Sequence, residues 1–410
     1  MQLPAKKSSV RSCLDIDRVR VDTEKNFCDI LDKVHELSQD SVDTTHVFAL
    51  SQVYEGLLLK MGEKGNDGGQ FFTPREIIRA MVKVIDPQIG ETVFDPCCGT
   101  GGFLAQAYEY MAGVSNSKIK SPDQLETLRQ RTFYGREKDN LVMPITLANL
   151  VLHGIDEPHI WHGNTLTRKE TYGGLFQDAP PLFDVILTNP PFGGKEGKEA
   201  QTNYPYKTGA TQMLFLQEVI QSLKSGKRCG IVLDEGVLFR TNEIAFVQVK
   251  RKLLDDCDVY CIVSLPGGIF TAAGAGVKTN LIFFNKGKPT KKIWYYDFSD
   301  IKVGKKTPFT IDRFDDFFQL LPKREDSERS WTVDFVERKK QAAQKAEPFK
   351  KQATAKEAEA NQLKDTLSDL KKDRKKNEQA INETEEAIRL LTKEARELSG
   401  KAEEIEKRCL

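Results

Sequence analysis

Between residue 92 and about residue 296 the sequence alternates, and that alternation restricts the fold more than any other feature of the chain. Short apolar runs fall at 92–95, 132–136, 158–161, 183–188, 229–233, 259–264 and 279–284. Helical stretches such as Met143–His153 and Met213–Leu223 separate most of them. Strand-length runs divided by helix-length spacers predict an α/β domain with a mainly parallel, doubly wound sheet. Seven candidate strands are enough for an ordinary sheet of that type.

The turns after these strands carry the informative residues. Thr92–Phe94 runs into Asp95-Pro96-Cys97-Cys98-Gly99-Thr100-Gly101-Gly102, and Phe103–Met111 reads as helix. Glycines at a strand-to-helix turn let a ligand approach the backbone closely. A dinucleotide fingerprint needs glycine three residues after Gly101, and Leu104 stands there. The pattern is instead D-x-x-x-G-x-G, with Asp95 ahead of Gly99 and Gly101. That form suits a ligand without a pyrophosphate, whose cationic amino-acid end is held by the acid and the loop. S-adenosylmethionine is such a ligand; a plain tight turn is the competing explanation. Glu137 closes the second run, where an acid accepts both ribose hydroxyls of an adenosyl group, unless it is a surface glutamate. Asn164 follows the third run and either contacts the adenine edge of the same ligand or caps a turn. Residues 113–131 read as an insertion within this βαβ unit.

The fourth run, Asp184–Leu187, leads into Thr188-Asn189-Pro190-Pro191-Phe192. Two prolines cannot extend a strand, because each lacks an N–H and fixes φ. The chain therefore leaves the sheet on a stiff backbone, with an amide side chain at the exit and a ring just beyond. A rigid polar clamp beside a ring suits a planar base with an exocyclic amine.

Elsewhere the signals are coarser. Residues 1–68 read as two or three helices, Gly62–Gly69 as a glycine-rich break, and Thr73-Pro74 as a helix start with Thr73 as N-cap. Residues 301–348 are mixed, with Asp/Phe pairs near Phe314–Phe318. From 349 to 410 there is no proline. A heptad with Ala360, Leu367, Ile381, Ile388, Ala395 and Ala402 at one seam position and Leu363, Leu370, Leu391, Leu398 and Ile405 at the other predicts a long helix or coiled coil that binds a partner. Polar residues interrupt the seam at 374–384, as a register device or a hairpin turn. The net charge of +1 does not suit a chain that binds DNA unaided. The eight scattered cysteines form no CxxC pair, which argues for core thiols over a metal site. No apolar run reaches the ~18 residues of a membrane span, and the N-terminus has no apolar signal core, so a soluble, cytoplasmic protein is expected.

Taken in order, QFFTPREI at 70–77, DPCCGTGGFL at 95–104, NPPFGG at 189–194, DEGVLF at 234–239 and GVKTNLIFFNKG at 276–287 resemble the modification (M) subunit of type I restriction–modification systems. These are adenine-N6 DNA methyltransferases of the γ motif order. NPP followed by an aromatic also occurs in adenine rRNA and glutamine protein methyltransferases; QFFTPR before the cofactor loop and GVKTNLIFF after NPPF are far more specific. The resemblance implies a Rossmann-like seven-stranded S-adenosylmethionine-dependent methyltransferase fold over 69–300, to which the residues add a short helical N-terminal region and a C-terminal long helix or coiled coil. It implies cofactor contacts from Gln70, Phe71, Phe72, Thr73, Pro74 and Arg75, and from Thr100, Gly101, Gly102 and Glu137. It makes Asn189, Pro190, Pro191 and Phe192 the catalytic set. Implied partners are duplex DNA with a flipped adenine, a specificity (S) subunit docked through the C-terminal helix, a second M subunit and a restriction (R) subunit. Three features depart from the family pattern: a shorter N-terminal region, Asp234 where many relatives have proline, and Cys97-Cys98 in place of smaller or polar residues.

The residues also rank rival chemistries. Cytosine-C5 transfer needs a nucleophilic cysteine, and the one Pro-Cys pair, Pro96-Cys97, lies inside the cofactor loop. Cytosine-N4 transfer usually has Ser or Asp in place of Asn189. A catalytically weak assembly subunit is the alternative from a different class. No GxxxxGK[ST] loop occurs, which disfavours a translocating motor.

Overall fold

A computed structural model of the chain describes residues 73–407, except 141, 169–178, 271–276, 305–306 and 374, together with Lys25 and Cys28. The helices expected before residue 68, the glycine-rich break and Gln70, Phe71 and Phe72 lie outside the described residues.

In chain order the elements are α1 (Arg75–Ile85), β1 (Val93–Asp95), α2 (Gly102–Ala112), α3 (Pro122–Gln130), β2 (Phe133–Glu137), α4 (Val142–Leu152), β3 (His159–His162) and β4 (Phe183–Thr188). They continue with a short α5 (Lys198–Gln201), α6 (Thr211–Ser222), β5 (Leu223–Asp234), a short α7 (Glu235–Phe239), α8 (Ile244–Asp256), β6 (Cys257–Ser264) and β7 (Thr279–Lys286). The last are β8 (Lys292–Asp297), α9 (Asp315–Leu320), β9 (Ser330–Asp334), α10 (Phe335–Leu370) and α11 (Glu378–Lys407).

One sheet has the order β3-β2-β1-β4-β5-β7-β6-β8-β9. The first five strands in that order are mutually parallel, and β7 runs antiparallel between β5 and β6. All seven apolar runs of the sequence become strands, β1 to β7. The Rossmann-like seven-stranded core is therefore present, with β8 and β9 added beyond β6. The reversed β7 follows from the connection: no helix is described between β6 and β7, and antiparallel strands need no crossover helix.

The chain forms two compact units. One holds the described residues up to Phe239, Lys252–Thr290 and Trp294–Thr332; the other holds Arg240–Arg251, Lys291–Ile293 and the described residues from Val333 onward. In the first, β4 is buried at every residue, which suits a central strand covered on both faces. The amphipathic α1 buries Ile77, Ile78, Met81, Val82 and Ile85. Its C-terminal end is fixed to the sheet by Arg228 of β5. That guanidinium donates to the carbonyls of Ile85 and Asp86 at 2.6 and 2.7 Å and to both oxygens of Glu91 at 2.8 and 2.6 Å. The phenylalanines after residue 300 have a plain explanation. Phe309, Phe314 and Phe317 pack edge-on against Phe298, and Trp294 stacks on Phe317.

In the second unit the C-terminal heptads fold back on themselves. α10 and α11 are antiparallel, as Lys350–Glu406, Lys356–Glu394 and Lys371–Glu385 ion pairs require. Their seam buries Ala346, Ala353, Ala360, Ile381, Ala395 and Ala402. The polar break in the heptads is thus a turn, and Asn377 Nδ2 donates to the Leu370 carbonyl across it at 3.2 Å. α10 starts at Phe335, capped by Asp334, and carries Pro348 within it. Among the described residues, no helix is long and apolar enough to cross a membrane.

Candidate active site

The carboxyl ends of β1, β2, β3 and β4 open onto a cleft of about 400 Å³. Its lining contains Thr73, Asp95, Gly99, Thr100, Gly102, Glu137 and Asn164, and on the other side Asn189, Pro191 and Phe192. Crevices beyond the carboxyl ends of parallel strands are where α/β sheets bind ligands. Sequence-predicted residues from four separate turns therefore meet in one cavity. Gly101 and Pro190 stand in the same turns outside the lining. Pro74 and Arg75 lie at the start of α1. The helix begins one residue later than expected: Pro74, not Thr73, is its N-cap residue, and no side chain caps it. Thr73 has another task, described below.

The loop after β1 is a built cradle. Gly101 has φ of 80°, a left-handed value that a β-carbon disfavours, and an added methyl there would press on Leu150 and Thr146 at 3.2 Å. The loop's carbonyls are taken by side chains that sequence reasoning did not single out. Thr146 donates to the Gly99 carbonyl, Thr165 to the Pro96 carbonyl, and Asn149 Nδ2 to the Thr100 carbonyl at 2.8 Å. A sequence signal for two of them existed: Thr146 and Asn149 lie three apart on one face of the otherwise apolar α4.

Two carboxylates sit in this cradle. Glu137 is buried, and its Oε2 accepts the Gly99 N–H at 2.9 Å while Oε1 accepts the Asp139 N–H at 2.7 Å. Asp95 is 1% exposed; its Oδ1 accepts the Thr188 hydroxyl at 2.7 Å and the Cys97 N–H at 3.1 Å. Burial pushes the Asp95 carboxyl up to about 7, and the Glu137 charge adds to this, while the two hydrogen bonds oppose it. Burial likewise pushes Glu137 up to about 7, against the pull of the Asp139 and Gly99 amides. Burial and the Asp95 charge also drive the Cys97 thiol well above its ordinary range, and burial does the same for Cys98. Thiols held protonated are poor nucleophiles, which weighs against a catalytic Cys97. Asn164 Oδ1 accepts the Leu166 N–H at 2.9 Å, so its carbonyl closes a turn.

Across the cleft the chemistry differs. Asn189 Nδ2 donates to Thr73 Oγ1 at 2.9 Å. That bond fixes the amide's orientation and leaves Oδ1 as the free atom. Asn189 Oδ1 is buried and has no hydrogen-bond partner among the described residues. A buried carbonyl without a donor is costly, roughly 1–3 kcal/mol, and such an orphan needs an explanation. Phe192 is half-buried and meets Phe270 edge-on, with centroids 5.2 Å apart and planes at 79°. Beyond it the chain turns through Gly193 and Gly194, at φ of 72° and 81°. Lys195, Glu196, Thr211 and Phe215 complete this side, none of them predicted from sequence.

Comparison with known proteins agrees with this construction. The fold is shared with a class I S-adenosylmethionine-dependent methyltransferase of Listeria monocytogenes, at a TM-score of 0.52 and 15% identity. The model of the N-6 DNA methylase family matches residues 45–379, and the chain belongs to that family. It is 36% identical over 322 residues to the type I restriction enzyme EcoEI methylase subunit of Escherichia coli, covering 74% of this chain and 62% of that one. It is 34% identical over 278 residues to the EcoKI methylase subunit of Escherichia coli K12, covering 65% and 51%. A chain from a solved type I restriction–modification system matches with a TM-score of 0.69 and 38% identity, over 80% of this chain and 69% of that one. The chain thus spans between half and two thirds of the length of the two methylase subunits.

Proposed function

We propose that the chain transfers a methyl group from S-adenosylmethionine to adenine N6 in duplex DNA, as the modification subunit of a type I restriction–modification system. The observation that carries this reading is the orphaned, buried Oδ1 of Asn189, fixed by Thr73 and facing the same cleft as Asp95 and Glu137. An exocyclic adenine amine is a poor nucleophile, because its lone pair is delocalised into the ring. Asn189 Oδ1 and the Pro190 carbonyl each accept a hydrogen bond from one N6–H, which localises the lone pair; as the N–C bond forms and the methyl–sulfonium bond breaks, one N6 proton is released to solvent. Phe192 stacks on the base once it has left the duplex. The remaining work is positioning by fixed dipoles.

S-adenosylmethionine supplies an electrophilic methyl on a sulfonium when bound. The cradle fits it: two buried carboxylates are available to a cationic ligand, and the loop glycines leave room beside the backbone. Each carboxylate oxygen of Glu137 already holds one backbone N–H and retains a second lone pair for a ribose hydroxyl. Thr73, Thr100, Gly102 and Asn164 line the cleft, and we take them as cofactor contacts together with Gly101, Pro74 and Arg75 and, from the family resemblance, Gln70, Phe71 and Phe72. We assign the chemistry to residues 69–300. The near-neutral charge supports sequence recognition by a separate specificity subunit. The hairpin of α10 and α11 is its docking element, in a cytoplasmic complex with a second modification subunit and a restriction subunit.

Asn189→Ala tests this. In the complex assembled with its specificity subunit, methyl incorporation into DNA should fall by about 10²–10³-fold or more, with the cofactor dissociation constant unchanged by calorimetry. Wild-type incorporation by that variant would sink the assignment.

A further inference from the structure

The excursion between Phe192 and α6 has no part in the mechanism above, yet it is held firmly. The Glu196 N–H donates to the Gly209 carbonyl at 2.8 Å, and Lys195 bridges Ala210 in antiparallel fashion. The Thr211 hydroxyl donates to Glu196 Oε1 at 3.2 Å. Gly194 has no alternative, since a β-carbon there would lie 2.8 Å from Thr211 Oγ1 at a left-handed φ. On the returning limb, the fully buried Gln217 accepts the Tyr206 N–H and donates to its carbonyl, both at 3.0 Å. The Tyr204 hydroxyl donates to Glu218 at 2.8 Å.

This rigid excursion presents three lysines, Lys195, Lys198 and Lys207, all exposed. None of the three ammonium groups has an ion-pair or hydrogen-bond partner among the described residues. Four other lysines of the same unit are engaged, Lys224 with Asp184, Lys227 with Glu91, Lys252 with Asp256 and Lys278 with Glu235, whereas Lys138, which lines the cleft beside Glu137, is exposed like Lys195. Two acids share the excursion, but Glu196 is turned to Thr211. Lys195 also lines the cleft on the side of Asn189 and Phe192. An exposed cation on a fixed backbone in the lining of a cleft suits an anion arriving from solvent.

We propose that Lys195, supported by Lys198 and Lys207, is an anion site that takes a phosphodiester oxygen of the DNA backbone beside the target adenosine. This rests on the methyltransferase reading above and adds to it a residue that holds the extruded nucleotide in register. Phosphate contacts position a protein on the duplex without reading sequence. The same cation chemistry suits the cofactor's carboxylate, and the two sources are separable.

The test uses the complex assembled with its specificity subunit and unmodified genomic DNA, with Lys195→Ala and Lys195→Arg. The expected result for Lys195→Ala is a raised KM for DNA and a log affinity against log salt slope shallower by about 0.9, one phosphate contact. Lys195→Arg should restore the slope. Cofactor affinity by calorimetry should not change in either variant. An unaltered salt slope and KM in Lys195→Ala, with wild-type methylation intact, would overturn the lysine assignment alone. Weakened S-adenosylmethionine binding with unchanged DNA parameters would move the site to the cofactor. Failure of the wild-type complex to methylate DNA would overturn both readings together.

Discussion

The two walls of the cleft handle their polar groups in opposite ways. On the wall built from the loop after β1, polar groups are matched: Glu137 holds two backbone N–H groups, and Thr146, Asn149 and Thr165 each hold a loop carbonyl. On the wall after β4, Thr73 holds the Asn189 amide nitrogen, and the amide oxygen is left bare. The first wall is stabilised by its own hydrogen bonds and keeps its shape without a ligand. The second carries an acceptor that no donor among the described residues satisfies. Under the proposed function the contrast has a reason: a cofactor bound in every turnover suits a preformed cradle, whereas a base pulled from a duplex would need an acceptor held ready for it.

Substitution on each wall should separate stability from rate, and these are the largest effects expected. Glu137→Ala leaves the Gly99 and Asp139 amides without acceptors, a loss of about 2 kcal/mol of folding stability, measurable by denaturant unfolding. Cofactor binding should weaken with it. Asn189→Ala removes the unsatisfied Oδ1 together with the bond to Thr73, opposing effects of similar size, and should leave stability nearly unchanged while methyl transfer collapses. If Asn189→Ala were the more destabilising of the two, the contrast between the walls would be false.

Much of this arrangement was legible in the sequence, and the gaps have physical causes. Apolar periodicity located all seven core strands, because a strand buried on both faces must be apolar over its whole length. It did not indicate neighbours, so the reversal of β7 was invisible. β8 and β9 were missed because charged residues bracket the apolar part of Lys292–Asp297, and Ser330–Asp334 is mostly polar and exposed. The turn chemistry marked Asp95, Glu137 and Asn189. The bond between Thr73 and Asn189 spans 116 residues, and no local pattern encodes it. A helix-capping rule assigned Thr73 elsewhere, and the tertiary contact prevailed. The heptads read as the seam of a partner-binding long helix or coiled coil, with a hairpin left open, because an antiparallel hairpin and a partner's helix leave the same pattern.

The matched wall has its own pH signature. Asp95 and Glu137 are both pushed up to about 7 by burial. Their unfolded values lie near 4, so between about pH 4 and pH 7 the folded chain binds more protons than the unfolded one. These two groups therefore contribute most stability at or below pH 4, and that contribution is lost as pH rises towards 7. Binding of a cationic ligand runs the other way, since it favours both ionised forms. Cofactor affinity should tighten by about tenfold per carboxylate between pH 6 and pH 8, with protons released on binding. Calorimetry in buffers of different ionisation enthalpy reads that release. A flat profile would mean that neither carboxylate faces the ligand's charge.

The smallest expected effect sharpens the comparison most finely, because Asn164 stands at the edge of the matched wall with two plausible tasks. Its Oδ1 accepts the Leu166 N–H at 2.9 Å, and the turn it closes leads to Thr165, whose hydroxyl holds the Pro96 carbonyl. If the turn is its main task, Asn164→Ala should cost about 1 kcal/mol of stability, and Asn164→Asp should recover it, since a carboxylate oxygen accepts the same N–H. Cofactor affinity should change by less than about threefold in both, equal to under about 0.7 kcal/mol. If the amide nitrogen reads an adenine edge, the pattern inverts. Asn164→Asp would keep stability and lose cofactor affinity, because a carboxylate cannot donate to a ring nitrogen. Paired unfolding and binding measurements on the two variants decide between them, and the first outcome is the one expected from a wall whose side chains are already engaged with the backbone.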